Sequence, residues 1–371
     1  MTIASIYDTI QKPTLVLNPN RAKANIEKMA AKAARNGVRF RPHFKTHQSA
    51  AIGEWFRAAG VQAITVSSVD MALYFARHGW QDITIAFSVN IRQIEASNAL
   101  AGQVSLNLLV ESPETVQFLA EHLTHPVSLW LKVDAGYGRT GLNWADVAGL
   151  TAVAHEIAQS DRLTLRGLLT HAGDTYQARG QAAVEAVHRE TVSRLAAARH
   201  ALHQAGFGPL ELSVGDTPAS SMVENLGDVD EIRPGNFVFY DAMQWQIGAC
   251  REDEIAVATA CPVIAKHSSQ NKLVLYGGAV HLSKEFMVDS QGQRIFGYAA
   301  LPTADGWGPR LPGCYLTGVS QEHGLLHANA ETIRRVNIGD LLLVLPVHSC
   351  LTVNLLREYR TLDGDIINIE E

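Results

Sequence analysis

The chain lacks a basic excess: 31 Lys+Arg stand against 37 Asp+Glu, a formal net charge of −6 over 371 residues. Phosphate backbones are gripped by surplus cations, so nucleic acid is excluded as an expected partner. Long apolar runs are also missing. No stretch approaches the roughly 20 apolar residues that span hydrocarbon, and the opening MTIASIYDTIQKP has no apolar signal-peptide core. Cysteine is scarce, with four residues (Cys250, Cys261, Cys314 and Cys350), all in the last third and none in a CxxC pair. That excludes a disulfide framework. Together these absences point to a soluble protein of a reducing compartment, the cytoplasm, with no membrane partner. No GxGxxG follows the first strand, so a dinucleotide-binding sheet lacks its phosphate-binding turn. What the chain does have is 47% apolar and 18% charged residues, enough to bury a sizeable core, and fifteen histidines.

From Pro13 to about Asp241, short strand-like runs alternate with helical patterns. PTLVLN (13–18) leads into a helical pattern that Asn20 caps and Gly37 ends. Then come RFRPHFK (39–45), AITVSS (63–68), DITIAFS (82–88), SLNLLV (105–110), VSLWLKVD (127–134), LRGLLTH (165–171), ELSVG (211–215) and NFVFYD (236–241). Eight βα units of this size predict a barrel, with the 13–18 run pairing elsewhere. After Cys250 the long helical patterns stop, and strand-like runs are separated by Gly, Pro, Asn and Asp clusters. The expected fold class is α/β: a TIM-type (β/α)8 barrel over residues 13–245, then an antiparallel β domain over 246–371, with residues 1–12 packing beside the latter.

The segment Arg41-Pro42-His43-Phe44-Lys45-Thr46-His47 stands out. On a strand, Arg41, His43, Lys45 and His47 share one face. Four potentially cationic groups do not make an ordinary core, so either an anion compensates them or the face is solvated. A lysine held there beside an anionic cofactor suits Schiff-base chemistry. Further on, Leu169-Thr170-His171 ends a barrel strand, where catalytic groups sit. Ser213-Val214-Gly215-Asp216-Thr217 offers small residues and backbone N–H groups for a phosphate, with the Asp216 side chain turned away. His348 and Cys350, spaced to share a strand face, pair an imidazole with a thiol, donors that suit Zn²⁺ and leave coordination positions open. Cys250, Cys261 and Cys314 read as buried fillers. Two polar clusters, 276–281 and 320–324, are either near the barrel mouth or solvated turns.

RPHFKTH resembles the cofactor-lysine segment of the D-threonine aldolase/D-serine dehydratase family, pyridoxal-phosphate (PLP) enzymes with an alanine-racemase-like fold. The resemblance covers nearly the whole chain. It implies that Lys45 carries PLP, with His43 and His47 in the cofactor's surroundings, and that Arg139, in Val133-Asp134-Ala135-Gly136-Tyr137-Gly138-Arg139-Thr140-Gly141, faces the pyridine nitrogen. His171 becomes a cofactor or substrate contact, and Ser213, Gly215 and Thr217 bind the phosphate. Tyr240 is either a further phosphate contact or a core aromatic with a capped hydroxyl. His348 and Cys350 become ligands of a divalent metal, Zn²⁺ first, Mn²⁺ or Mg²⁺ as alternatives. Aldolase-type members carry another histidine shortly after the one at 171; here Asp174, Thr175 and Tyr176 follow. The family has HxC and HxD metal motifs, and HxC resembles the dehydratase branch.

The resemblance therefore implies a PLP- and metal-dependent lyase that removes water from a D-3-hydroxy amino acid, D-serine dehydratase-like, giving a 2-oxo acid and ammonia, with the catalytic roles on Lys45 and His171. The alternative is aldolase-like cleavage to glycine and an aldehyde; a racemase and a non-catalytic PLP carrier are further readings. The implied partners are a small D-amino acid and a second copy of the chain in a homodimer.

Overall fold

The structure is a computed structural model and describes residues 6–369. The first strand, β1 (Thr14–Leu17), leads into the helix Pro19–Arg35. The cap of that helix is Asn18, not Asn20: its side chain accepts the Arg21 N–H, and Pro19 takes the first helical position, where a missing N–H costs nothing. Lys32 and Arg35 lie in the last turn, facing its negative end, and Gly37 follows at φ +66°.

Eight parallel strands then form the barrel: β2 (Arg39–Phe40), β3 (Ala63–Val66), β4 (Asp82–Ser88), β5 (Ser105–Val110), β6 (Val127–Asp134), β7 (Leu163–Leu169), β8 (Glu211–Val214) and β9 (Glu231–Ile232). Their order is β2-β9-β8-β7-β6-β5-β4-β3. Between β2 and β3 closure rests on a single bridge, His43 with Thr65, and on the bonds Thr65 N–H to Pro42 O (2.9 Å) and Phe44 N–H to Thr65 O (2.8 Å). Two strands differ from expectation. RFRPHFK is a strand only at Arg39–Phe40, because Pro42 has no N–H for a ladder and the chain turns after it. The last strand is Glu231–Ile232, not 236–241; past Pro234-Gly235 the chain makes a helical turn, Asn236–Val238.

The barrel interior is partly ionic. Arg41 is fully buried and donates to Glu231 Oε2 (2.6 Å), itself fully buried, and to both oxygens of Asp82 (2.7 and 2.8 Å). Arg39 and Arg166 share Glu211 beside this pair, and Arg166 also reaches Asn107. Arg41 therefore points away from the ligand end and is neutralised by carboxylates; the shared cationic face expected of residues 41–47 does not form.

The second sheet holds β10 (Val257–His267), β11 (Lys272–Tyr276), β12 (Gly297–Thr303), β13 (Gly306–Val319), β14 (His323–His327), β15 (Leu341–Pro346), β16 (Glu358–Thr361) and β17 (Ile366–Asn368). With β1 its order is β11-β14-β13-β12-β15-β10-β1-β16-β17. The long β10 also pairs with β11 and so curls part of the sheet back on itself. All pairings are antiparallel except β1 with β16. β1 thus belongs to this sheet rather than to the barrel. The first described residues lie here too: Tyr7 donates to the Gly306 carbonyl, and Arg360 donates to Thr9 Oγ1 (3.1 Å). Among the described residues no helix is long and apolar enough to cross a membrane.

Removing one member of a fully buried ion pair strands the other charge in low dielectric, at a cost of about 3–5 kcal/mol. Arg41→Met is accordingly expected to lower the unfolding free energy by about that amount, read from chemical denaturation. A loss within experimental error would mean that Glu231 and Asp82 find other partners.

Candidate active site at the barrel mouth

The loops that follow β2, β6, β7, β8 and β9 meet at the C-terminal end of the barrel. After β2, residues 44–48 make a tight turn. Of residues 41–49, Lys45 alone is exposed; the other eight are buried. Its ammonium makes no hydrogen bond or ion pair with any described residue, so it stands ready for a group the chain itself does not supply. The turn ends on Gln48 in the left-handed region at φ +52°, and the Gln48 amide donates to Lys45 O (3.1 Å) and Asn354 Oδ1 (3.5 Å). Phe44, under the lysine, packs on Phe56, Phe75 and Trp80 with ring centroids 4.9–5.1 Å apart.

His47 goes into this aromatic cluster rather than to the site. Its ring stacks on Phe56 at 5.3 Å, Nδ1 accepts the Ser49 N–H (3.1 Å), and Nε2 is buried without a partner. Burial pulls it down to a pKa of about 3. His43 is buried at the mouth and stays neutral, because burial first and then the charges of Lys45 and Arg233 depress it. His171 lies after β7, and its Nδ1 donates to the Gly215 carbonyl at 2.6 Å, since a carbonyl only accepts. That leaves Nε2 as an acceptor. Burial, outweighing the Gly215 bond, lowers its pKa to about 3.

The glycine-rich loop after β6 is built on Asp134, whose carboxylate accepts the N–H groups of Gly136 and Gly138, and on Glu111, which accepts those of Gly141 and the Ser88 hydroxyl. Arg139 is exposed in it, 5.6 Å from the centre of the Tyr137 ring. Tyr137 lies over Gly173, where any side chain would strike the ring.

After β8, Asp216 caps the helix Thr217–Met222: Oδ1 accepts the Ala219 N–H (2.7 Å) and the Thr175 hydroxyl (2.9 Å), so this carboxylate faces away from the loop as expected. Thr217 Oγ1 is buried with no partner. Gly215 and Gly235 allow close packing of the loops; a Cβ on them would come within 2.8 Å of Arg233 Cβ and 2.9 Å of the His43 carbonyl respectively. Ser213 departs from its expected role. Its hydroxyl donates to Glu231 Oε1 (2.8 Å) and accepts from Arg233 Nε (2.7 Å), so it is engaged inside the barrel. The Tyr240 hydroxyl, of a buried ring, is capped by Ser221 at 3.1 Å.

His348 and Cys350 do not lie on a strand. β15 ends at Pro346, His348 caps the helix Ser349–Leu356, and Cys350 sits in its first turn. The pair still meets closely enough for each side chain to shift the protonation of the other. Burial disfavours charge on both, yet mutual attraction, with Glu285 helping the ring and Lys45 the sulfur, raises His348 to about 11 and lowers Cys350 below the usual thiol range. The result is a buried imidazole–sulfur pair in which each group favours the charged form of the other. No group of three or more His, Cys, Asp or Glu side chains placed to hold a metal ion occurs among the described residues. Thr46, beside Lys45, hydrogen-bonds Cys350 Sγ at 3.2 Å. Asp241 accepts the Ser349 N–H (3.0 Å) and binds Asn236 (2.5 Å), anchoring this helix to the barrel. The helix Ala279–Leu282, from the 276–281 cluster, packs against the Ser349–Leu356 helix, and His281 lies 3.9 Å from Glu322 of the 320–324 cluster. Cys250, Cys261 and Cys314 are buried and unpaired with other cysteines, as expected of fillers.

Four residues of this site owe their place to partners that sequence spacing does not reveal. They are Thr46, Asp241, Glu285 and Arg233, the last of which donates to Thr170 O beneath the two neutral histidines. All are contacts between distant segments.

A family model for the alanine racemase N-terminal domain matches residues 17–242, and one for the serine dehydratase domain matches residues 256–362. The chain belongs to this alanine-racemase-like family of PLP enzymes, in a branch whose relatives are dehydratases and aldolases. It is 30% identical to the D-threo-3-hydroxyaspartate dehydratase of Delftia sp. (strain HT23), over 96% of this chain and 95% of that enzyme. It is 23% identical to the D-serine dehydratase of Dictyostelium discoideum, over 97% of this chain and 96% of that one. A solved cysteine-to-alanine mutant of D-threo-3-hydroxyaspartate dehydratase, in a metal-free form, superimposes with a TM-score of 0.91 at 28% identity, covering 99% of each chain.

The buried histidines set the acid response. Free histidine titrates near 6.5, whereas His47 and His171 take up a proton only near pH 3 in the folded chain. Between those values the unfolded chain binds protons that the folded one refuses, so stability falls as pH falls through this window. His348 acts oppositely, losing stability as pH rises from about 6.5 towards 11. Replacing His47 by Phe is expected to make the acid-side slope shallower by about 1.4 kcal/mol per pH unit, measured by denaturation at several pH values. An unchanged slope would show that His47 is protonated in the folded chain.

Proposed function

We propose that this chain is a PLP- and metal-dependent lyase that eliminates water from a D-3-hydroxy amino acid, a D-serine dehydratase-type ammonia-lyase. The observation that carries the reading is the His348–Cys350 pair standing against the turn that presents the exposed Lys45, joined to it through Thr46.

The residues fit both groups. Lys45 has an unengaged amine, and Thr217 Oγ1, two residues after Gly215, is a buried polar atom without a partner. Lys45, Gly215 and Thr217 would hold PLP, with His43, His171 and Arg139 around it. The cofactor supplies an electron sink for a bond broken at the α-carbon. A divalent metal on His348 and Cys350 supplies Lewis acidity to a departing hydroxyl, and this N/S donor pair favours Zn²⁺ over Mn²⁺ or Mg²⁺.

The chain's own residues do the rest. Lys45 Nζ, once released from its link, takes the proton from the α-carbon. A guanidinium such as that of Arg139 would discourage protonation of a pyridine nitrogen placed beside it. His171, neutral and fixed by the Gly215 carbonyl, presents Nε2 as an acceptor and adds no positive charge. Loss of the α-proton and the β-hydroxyl yields an enamine that hydrolyses to a 2-oxo acid and ammonia.

The test is a product assay on D-serine, D-threonine and D-threo-3-hydroxyaspartate, with and without added Zn²⁺ or Mn²⁺. We expect a 2-oxo acid plus ammonia from at least one of them, and loss of turnover on chelation. Glycine plus an aldehyde would replace elimination by retro-aldol cleavage, and racemisation untouched by chelators would sink the metal-lyase reading. Lys45→Ala is expected to remove the visible cofactor absorption; a surviving band that borohydride reduces would place the Schiff base elsewhere.

A further inference from the structure

Glu285 is the outer partner of the His348–Cys350 pair. Its Oε2 lies 3.2 Å from His348 Nδ1. A carboxylate accepts and does not donate, so Nδ1 carries the hydrogen and Nε2 is the nitrogen left for a ligand. The two side chains are 32% and 38% exposed, and ion pairs so close to solvent add little to fold stability. The chain nevertheless builds a strained turn to make the contact. Ser283, which follows the helix Ala279–Leu282, adopts φ +68° and ψ 177°, a region nearly reserved for glycine. The Ser283 hydroxyl accepts the Glu285 N–H at 3.1 Å, which turns the carboxylate back toward His348. Strain spent on a contact of little structural worth points to a role at the site.

We infer that Glu285 is the positioning residue of the metal centre. It holds His348 in the Nδ1–H tautomer, orients the ring so that Nε2 serves as the ligand beside the Cys350 sulfur, and raises the basicity of that nitrogen. The inference rests on the reading of His348 and Cys350 as metal ligands.

The experiment is equilibrium dialysis of the purified protein against Zn²⁺, with Co²⁺ as the spectroscopic probe. Wild type is expected to bind Co²⁺ with a thiolate charge-transfer band that Cys350→Ala abolishes. Glu285→Ala is expected to weaken Zn²⁺ binding by about 10- to 100-fold while keeping that band in place. Glu285→Gln, whose amide oxygen accepts the same hydrogen, is expected to recover most of the affinity. Unchanged affinity in Glu285→Ala overturns the proposal. So does a Gln variant as weak as the Ala one, which would mean that charge alone matters. Loss of a metal-bound oxygen in the X-ray absorption of Glu285→Ala would make Glu285 a direct ligand and overturn the positioning role. Should wild type bind no metal, or bind it independently of Cys350, the metal-site reading fails and takes this inference with it.

Discussion

The hydrogen bond between Thr46 and Cys350 joins segments 304 residues apart and brings the two halves of the candidate site together. One half is the lysine turn on the barrel; the other is a helix emerging from the second sheet. Neither could place its group by itself, because Lys45 sits on a turn and Cys350 on the first turn of a short helix. Other bonds brace the joint. The Tyr359 hydroxyl donates to the His47 carbonyl at 2.7 Å, Gln48 reaches Asn354, and Asp241 holds Ser349. Each such bond is worth about 1 kcal/mol net, so their value lies in geometry more than stability. On the proposed reading, a base for the α-proton and a Lewis acid for the β-hydroxyl would address neighbouring atoms of one small molecule, and this joint would set their separation.

Electrostatics beneath the mouth follow from which cations are always charged. Arg41 and Arg233 sit inside the barrel, with Glu231 between them, and Ser213 completes the set. Arg233, still protonated at neutral pH although burial brings it down to about 10, helps to keep His43 and His171 neutral. Positive charge for an anionic ligand is therefore held on arginine and lysine, while the histidines act as oriented acceptors.

The alternation of strands and helices, the change of texture after Cys250 and the motifs around Lys45, His171 and His348 were legible because each depends on nearby residues. Proline broke the reading where it interrupted a strand: Pro42 and Pro234 shortened or displaced the first and last barrel strands, so residues assigned to one face of a strand point in different directions. Arg41 goes to carboxylates below and His47 to aromatic rings, leaving His43 and Lys45 at the mouth. His348 and Cys350 meet on a helix start, although a two-residue spacing reads as a strand face. Ser213 looked like a phosphate contact by its place after a strand, but Glu231 and Arg233, approaching from the next strand, claim its hydroxyl. Glu285, Thr46 and Asp241 matter through partners far away in the chain, and local spacing carries no trace of that.

The place of β1 in the second sheet bears on the order in which the molecule is assembled. On the ribosome, Thr14–Leu17 emerges first, yet its neighbours are Val257–Ala260 and Tyr359–Thr361. Every barrel strand is synthesised before either neighbour exists. The nascent chain thus carries an apolar strand with two open edges through the whole of barrel synthesis, and the sheet is sealed only when the C-terminal segment arrives. A strand made before the barrel is enclosed by segments made after it.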